Sequence, residues 1–132
     1  MSRNPFGALA VAGLAVLAAC SKSNSSTGPS TSTCTAGSTS TTITIANNAV
    51  CPQNITVARG TQVTFVNQDS VAHEMFSDPH PEHTDCPEIN SVGHLEPNQS
   101  RLTGNLNTPR TCGFHDHQRP DVAALKGHIT IQ

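Results

Sequence analysis

The chain has 132 residues, and 7 basic against 9 acidic side chains give it a formal net charge of −2. That balance leaves no basic surface, which argues against a nucleic-acid partner. Trp and Tyr are absent and Phe occurs only 4 times, so a core must rest on Val, Ile and Leu and gains from cross-links.

The N-terminus reads as an export signal. Arg3 supplies a short positive region, and Phe6 to Ala19 is an apolar run of Ala, Leu, Val and Gly. The run is too short to span a bilayer, which takes about 20 residues. It ends in Leu17-Ala18-Ala19-Cys20, which resembles a bacterial lipobox. The resemblance implies that residues 1–19 are a lipoprotein signal peptide, that the Cys20 sulfur is acylated, and that the mature chain is held at a membrane of the bacterial cell envelope. Ser21 stands where an Asp would direct inner-membrane retention, which favours the outer membrane. An ordinary signal peptide with an incidental cysteine is the plain alternative.

Residues 20–41 form the expected tether. Ser and Thr fill 15 of the 22 positions from Ser21 to Thr42, with Gly28, Pro29 and Gly37 among them. Such a stretch has too little apolar area to offset the entropy of ordering it. Residues 42–132 are left for one domain with a modest core. Four cysteines besides Cys20 remain for an oxidising compartment: Cys34, Cys51, Cys86 and Cys112. They allow two disulfides in three connectivities, or one disulfide and two thiols with other work.

The domain is strand-like nearly throughout. Thr42-Ile43-Thr44-Ile45, Ile55-Thr56-Val57, Val63-Thr64-Phe65-Val66 and Ile129-Thr130-Ile131 alternate apolar and polar. Turn residues separate them: Asn47-Asn48, Pro52, Arg59-Gly60, Asn67 to Ser70 and Pro97-Asn98. One helical turn is expected at Asp121 to Leu125. The pattern predicts an all-β fold, an antiparallel Greek-key sandwich or barrel of about 7–8 short strands. One long loop interrupts it, Ser77 to His94, with 3 prolines, 3 histidines and 4 acids. A loop of that length in a compact domain points to function or disorder.

The segment from Pro52 to His73 contains Pro52-x-x-Ile55-x-Val57-x-x-Gly60-x-x-Val63-x-Phe65-x-Asn67-x-Asp69, then His73. It resembles the amino half of the cupredoxins, the plastocyanin and azurin family. Leu95-Glu96-Pro97-Asn98-Gln99-Ser100 is similar to that family's Leu-x-Pro-Gly-x-Ser turn, with Asn98 replacing Gly in the left-handed region that Asn also enters. Lys126 to Ile131 matches its closing strand. The resemblance spans Thr42 to Gln132 and implies a copper cofactor, with His73 as the first ligand.

Two ligand sets follow from it. In the first, His73, Cys112 and His115 form a blue-copper site of two imidazoles and a thiolate, and Leu125 replaces the weak axial Met. In the second, the family's penultimate strand is laid on residues 110–116, which puts Asp116 where the thiolate belongs. Cys112, Phe114 and Asp116 then share the core face. Cys112 is suited to a disulfide with Cys86, leaving Cys34–Cys51 as the other pair. The metal would be held by imidazoles: His73, His115 and His117, with His83 or His80. Each has a plainer reading as a loop or surface residue, as His94 and His128 do, and Met75 reads as packing or as a soft thioether near the metal.

Three functions compete. A copper-binding lipoprotein would transfer electrons with a redox partner if a thiolate binds, or store and deliver copper to a partner protein if histidines alone bind. A copper enzyme is the second, because Gly113-Phe114-His115-Asp116-His117 resembles the Gly-Phe-His-x-His of copper–zinc superoxide dismutases. There, however, the motif lies early in the chain and its middle residue is apolar, so a non-enzyme is expected. The third is a metal-free interaction module on the same fold.

Overall fold

The computed structural model describes residues 38–132. The expected signal peptide, the lipidation cysteine Cys20, Cys34 and the tether up to residue 37 lie outside the described residues. At the first described residue, the Ser38 carbonyl accepts from Thr56 N–H at 3.1 Å.

Two sheets make up the domain. The first has the order β2 (Ala49–Cys51), β1 (Thr42–Ala46), β4 (Thr64–Asn67), β7 (Ser100–Leu102). The second runs β3 (Asn54–Val57), β9 (Lys126–Ile131), β8 (Arg110–Asp116), β5 (His73–Ser77), β6 (Gly93–Leu95). Both are mixed rather than purely antiparallel: β1 pairs in parallel with β4, and β3 with β9. The reason is the path of the chain. β3 leaves for the second sheet before the chain returns as β4, so β4 arrives beside β1 in the same direction.

Alternation builds the core. Ile43, Ile45, Ile55, Val57, Val63, Phe65, Ile129 and Ile131 are all buried, as one face of each strand must be in a two-layer sandwich. Phe65 from the first sheet meets Phe114 from the second edge-to-face, with ring centroids 5.2 Å apart. That contact adds about 1 kcal/mol to the area the rings bury. Asn98 takes φ 63°, the left-handed conformation that its turn requires.

The long segment after β5 is more structured than its composition indicates. Residues Pro87–Ser91 form a 3-10 turn, and β6 follows at Gly93–Leu95. The turn buries Ile89, and the Cys86–Cys112 disulfide fixes its start to β8. A second 3-10 turn, Ala123–Leu125, occupies the place of the expected helical turn and buries Leu125.

Candidate metal centre

Strand β8 carries chemistry on both faces. Cys112, Phe114 and Asp116 are fully buried toward the other sheet. Gly113 and His115 therefore face outward. His115 is nevertheless only 1 % exposed, because the segment after β5 folds back across it.

That segment is held down at several points. Asp78 N–H donates to Gly113 O at 3.0 Å, and Asp85 Oδ2 accepts from Gly113 N–H at 3.2 Å. Asn90 bridges from behind, accepting from Ser77 N–H at 3.0 Å and donating to His83 O at 2.9 Å. Gly113 leaves room for the Asp78 carboxylate, which a Cβ at position 113 would displace.

The fold-back brings four imidazoles together. One ligand nitrogen from each of His80, His83, His115 and His117 lies within 4.8 Å of every other. His117 follows the end of β8, where its N–H donates to Glu74 O at 2.7 Å. Its Nδ1 lies 3.1 Å from His83 Nε2. Two nitrogens on one tetrahedral ion would be roughly 3.3 Å apart, given bonds of about 2.0–2.1 Å. Phe76 stacks on His83 with centroids 4.6 Å apart and meets His117 edge-on at 5.5 Å, so both rings have a fixed backing.

His115 is the innermost of the four. Its Nδ1 donates to Asp78 Oδ1 at 2.6 Å, and its Nε2 is buried with no hydrogen-bond partner. An orphaned buried nitrogen costs about 1–3 kcal/mol unless something occupies it. Burial first, and then the imidazoles of His115, His117 and His80, push His83 below the ordinary histidine range, against a smaller upward pull from Glu74. A lowered value keeps the ring neutral, the form that coordinates metals.

His73 and Cys112, expected among the ligands, are not in this cluster. His73 is fully buried on the core side of β5, with Nδ1 2.8 Å from Asp116 Oδ2 and Nε2 3.0 Å from Asp69 Oδ2. Both ring nitrogens already face a carboxylate, so neither is turned toward the cluster. Arg119 adds its Nε 3.5 Å from Asp116 and bonds to Asn48. Burial pulls Asp69 upward, but hydrogen bonds from Asn48, His73 and Asn47 outweigh it and hold the carboxyl below its ordinary range. Cys112 is joined to Cys86 and has no thiolate to offer. Cys51 is also disulfide-bonded; its expected partner, Cys34, lies outside the described residues. Met75 is buried in the core, on the opposite face of β5 from Phe76. His94 instead pairs with Glu96 at 3.1 Å on the surface, and His128 with Asn54 at 3.2 Å.

A blue-copper donor set therefore does not fit these residues. An all-imidazole set does, and imidazole suits Cu, Zn and Ni. Of the four clustered histidines, His80 is the one that sequence reasoning placed last. The Asp78-Pro79-His80-Pro81-Glu82-His83 run was the available signal, since it concentrates two imidazoles in one loop.

No family model matches the sequence, and no curated protein matches it. Solved structures do. Oxidised plastocyanin from the fern Dryopteris crassirhizoma aligns with 69% of this chain and 99% of its own at 24% identity, with a TM-score of 0.54. A purple cupredoxin from Nitrosopumilus maritimus aligns over 69% and 98% at 19% identity, TM-score 0.53. A copper-containing nitrite reductase from Thermus scotoductus aligns over 69% of this chain at 20% identity, TM-score 0.54. This chain spans only 22% of that enzyme's length. The fold of this protein is the cupredoxin fold.

Proposed function

We propose that this protein is a copper-binding lipoprotein of the bacterial cell envelope, whose His80, His83, His115 and His117 bind the ion for storage or delivery to a partner protein. The observation that carries the reading is the buried, unpartnered Nε2 of His115 among three further imidazoles. Copper is favoured over the other imidazole-binding metals by the fold, whose solved relatives include a copper-containing enzyme. A bound copper ion would supply Lewis acidity and a one-electron couple; the chain contributes neutral nitrogen donors and a backing carboxylate at Asp78.

Copper handling is favoured over electron transfer because the cluster contains no thiolate. Thiolate ligands suit Cu(I), and without one the two oxidation states differ more in preferred geometry. Fast electron exchange needs a site that hardly changes.

Titration with Cu(II) tests the reading. The protein should take up one equivalent and show only a weak ligand-field band in the visible spectrum. An intense blue charge-transfer band would instead assign a thiolate ligand and electron transfer, and no uptake would favour the metal-free interaction module.

The envelope address rests on Leu17-Ala18-Ala19-Cys20 and the polar tether that follows. Cys20→Ser should move the protein from the membrane fraction to the soluble fraction of cells, since stable anchoring depends on acyl chains. Retention of the variant in the membrane fraction would count against lipidation at Cys20.

A further inference from the structure

Among the described residues, Asp78 is the carboxylate that hydrogen-bonds directly to the four-imidazole cluster. Its side chain remains 42% exposed, so its pairing with His115 adds little to stability. What the pairing decides is which ring nitrogen stays bare. With Nδ1 donating to Asp78 Oδ1 at 2.6 Å, His115 is left with Nε2 as its lone-pair donor, and this is the nitrogen that lies buried without a partner.

The contact is built in by local sequence. Gly113 leaves the space that the Asp78 carboxylate fills, two residues before His115 on the same face of β8. The backbone on both sides of Asp78 is tied, through its own N–H to Gly113 O and through Asp85 N–H to Asp78 O at 2.8 Å. A flexible surface acid would not be held in this way.

Resting on the four-imidazole reading above, we infer that Asp78 is the positioning residue of the metal centre: it fixes the tautomer and orientation of His115 so that Nε2 faces the ion. A carboxylate behind a ligating imidazole orients the ring and favours the divalent ion, and its loss costs about 10–100-fold in affinity. The carboxylate charge should therefore favour Cu(II) over Cu(I).

Two measurements on the full-length protein test this. The first is nitrogen-15 NMR of His115 without metal. It should show a single Nδ1–H tautomer in the wild type and a mixture in Asp78→Ala. The second is Cu(II) affinity by competition with a chelator of known strength. Asp78→Ala should weaken binding about 10–100-fold. Asp78→Asn, which still accepts the Nδ1–H bond, should fall between that variant and the wild type. In a His115→Ala background, Asp78→Ala should change affinity no further.

An unchanged tautomer in Asp78→Ala, or an equal loss with and without His115, would overturn the positioning role. An Asp78-dependent tautomer in a wild-type protein that takes up no Cu(II) would support the positioning of His115 and overturn the metal reading alone.

Discussion

Replacing His73 by Ala should lower stability by about 3–5 kcal/mol while leaving copper uptake nearly intact. The destabilisation comes from Asp116, which is fully buried and loses the imidazole 2.8 Å from its Oδ2. Removing one partner of a buried pair leaves an uncompensated charge, which is what makes such variants costly. Arg119 Nε, 3.5 Å from Asp116, offsets part of that cost, so the lower end of the range is expected. Asp69 loses its bond to His73 as well but keeps the N–H groups of Asn47 and Asn48.

Copper uptake should survive because His73 lies on the core face of β5, while the imidazole cluster covers the opposite face beside Phe76. Chemical denaturation measures the first effect and a Cu(II) titration at low temperature the second. A stable His73→Ala protein that has lost copper would return His73 to the ligand set and undo the placement of the centre on the outer face.

The disulfide should have an effect of similar size by a different route. Cys86 and Cys112 are separated by 26 residues, and closing a loop of that length removes about 3.5 kcal/mol of chain entropy from the unfolded state. The cross-link also ends the segment that carries His80 and His83 and ties it to the strand that carries His115. The paired variant Cys86→Ser, Cys112→Ser should therefore unfold at a lower urea concentration and also bind Cu(II) more weakly. If the denaturation midpoint falls but copper affinity is unchanged, the disulfide serves the fold only and the hydrogen bonds at Gly113 and Asn90 suffice to hold the loop. An equal midpoint would mean that the reduced chain keeps much of the constraint.

Much of the fold was legible because its strands alternate. Ile43 and Ile45, Ile55 and Val57, Val63 and Phe65, and Ile129 and Ile131 each mark a face of period two. The strands that were harder to read lack that signal. β7 is exposed at all three residues, and β5 buries His73 and Ser77 beside Met75. β6 lies within a segment whose prolines and acids read as loop.

The site was legible on β8, where strict alternation assigns Cys112, Phe114 and Asp116 to one face and His115 to the other. What no periodicity carries is the fold-back that sets His80 and His83 over His115. It depends on a disulfide and on hydrogen bonds that join Gly113 to Asp78 and Asp85, residues far apart in sequence, with Asn90 bracing the segment from within. His73 shows the converse: its motif indicates a ligand, but a carboxylate at position 116 gives its Nδ1 a different partner.

Because two of the imidazoles come from a loop and two from the end of a strand, an ion bound among them would act as a reversible staple across the same gap that the disulfide closes permanently. Its contribution would scale with the logarithm of free copper, reaching about 2.7 kcal/mol at roughly a hundred times the dissociation constant. The resistance of the domain to unfolding, and hence to proteolysis, would then rise and fall with the free copper concentration.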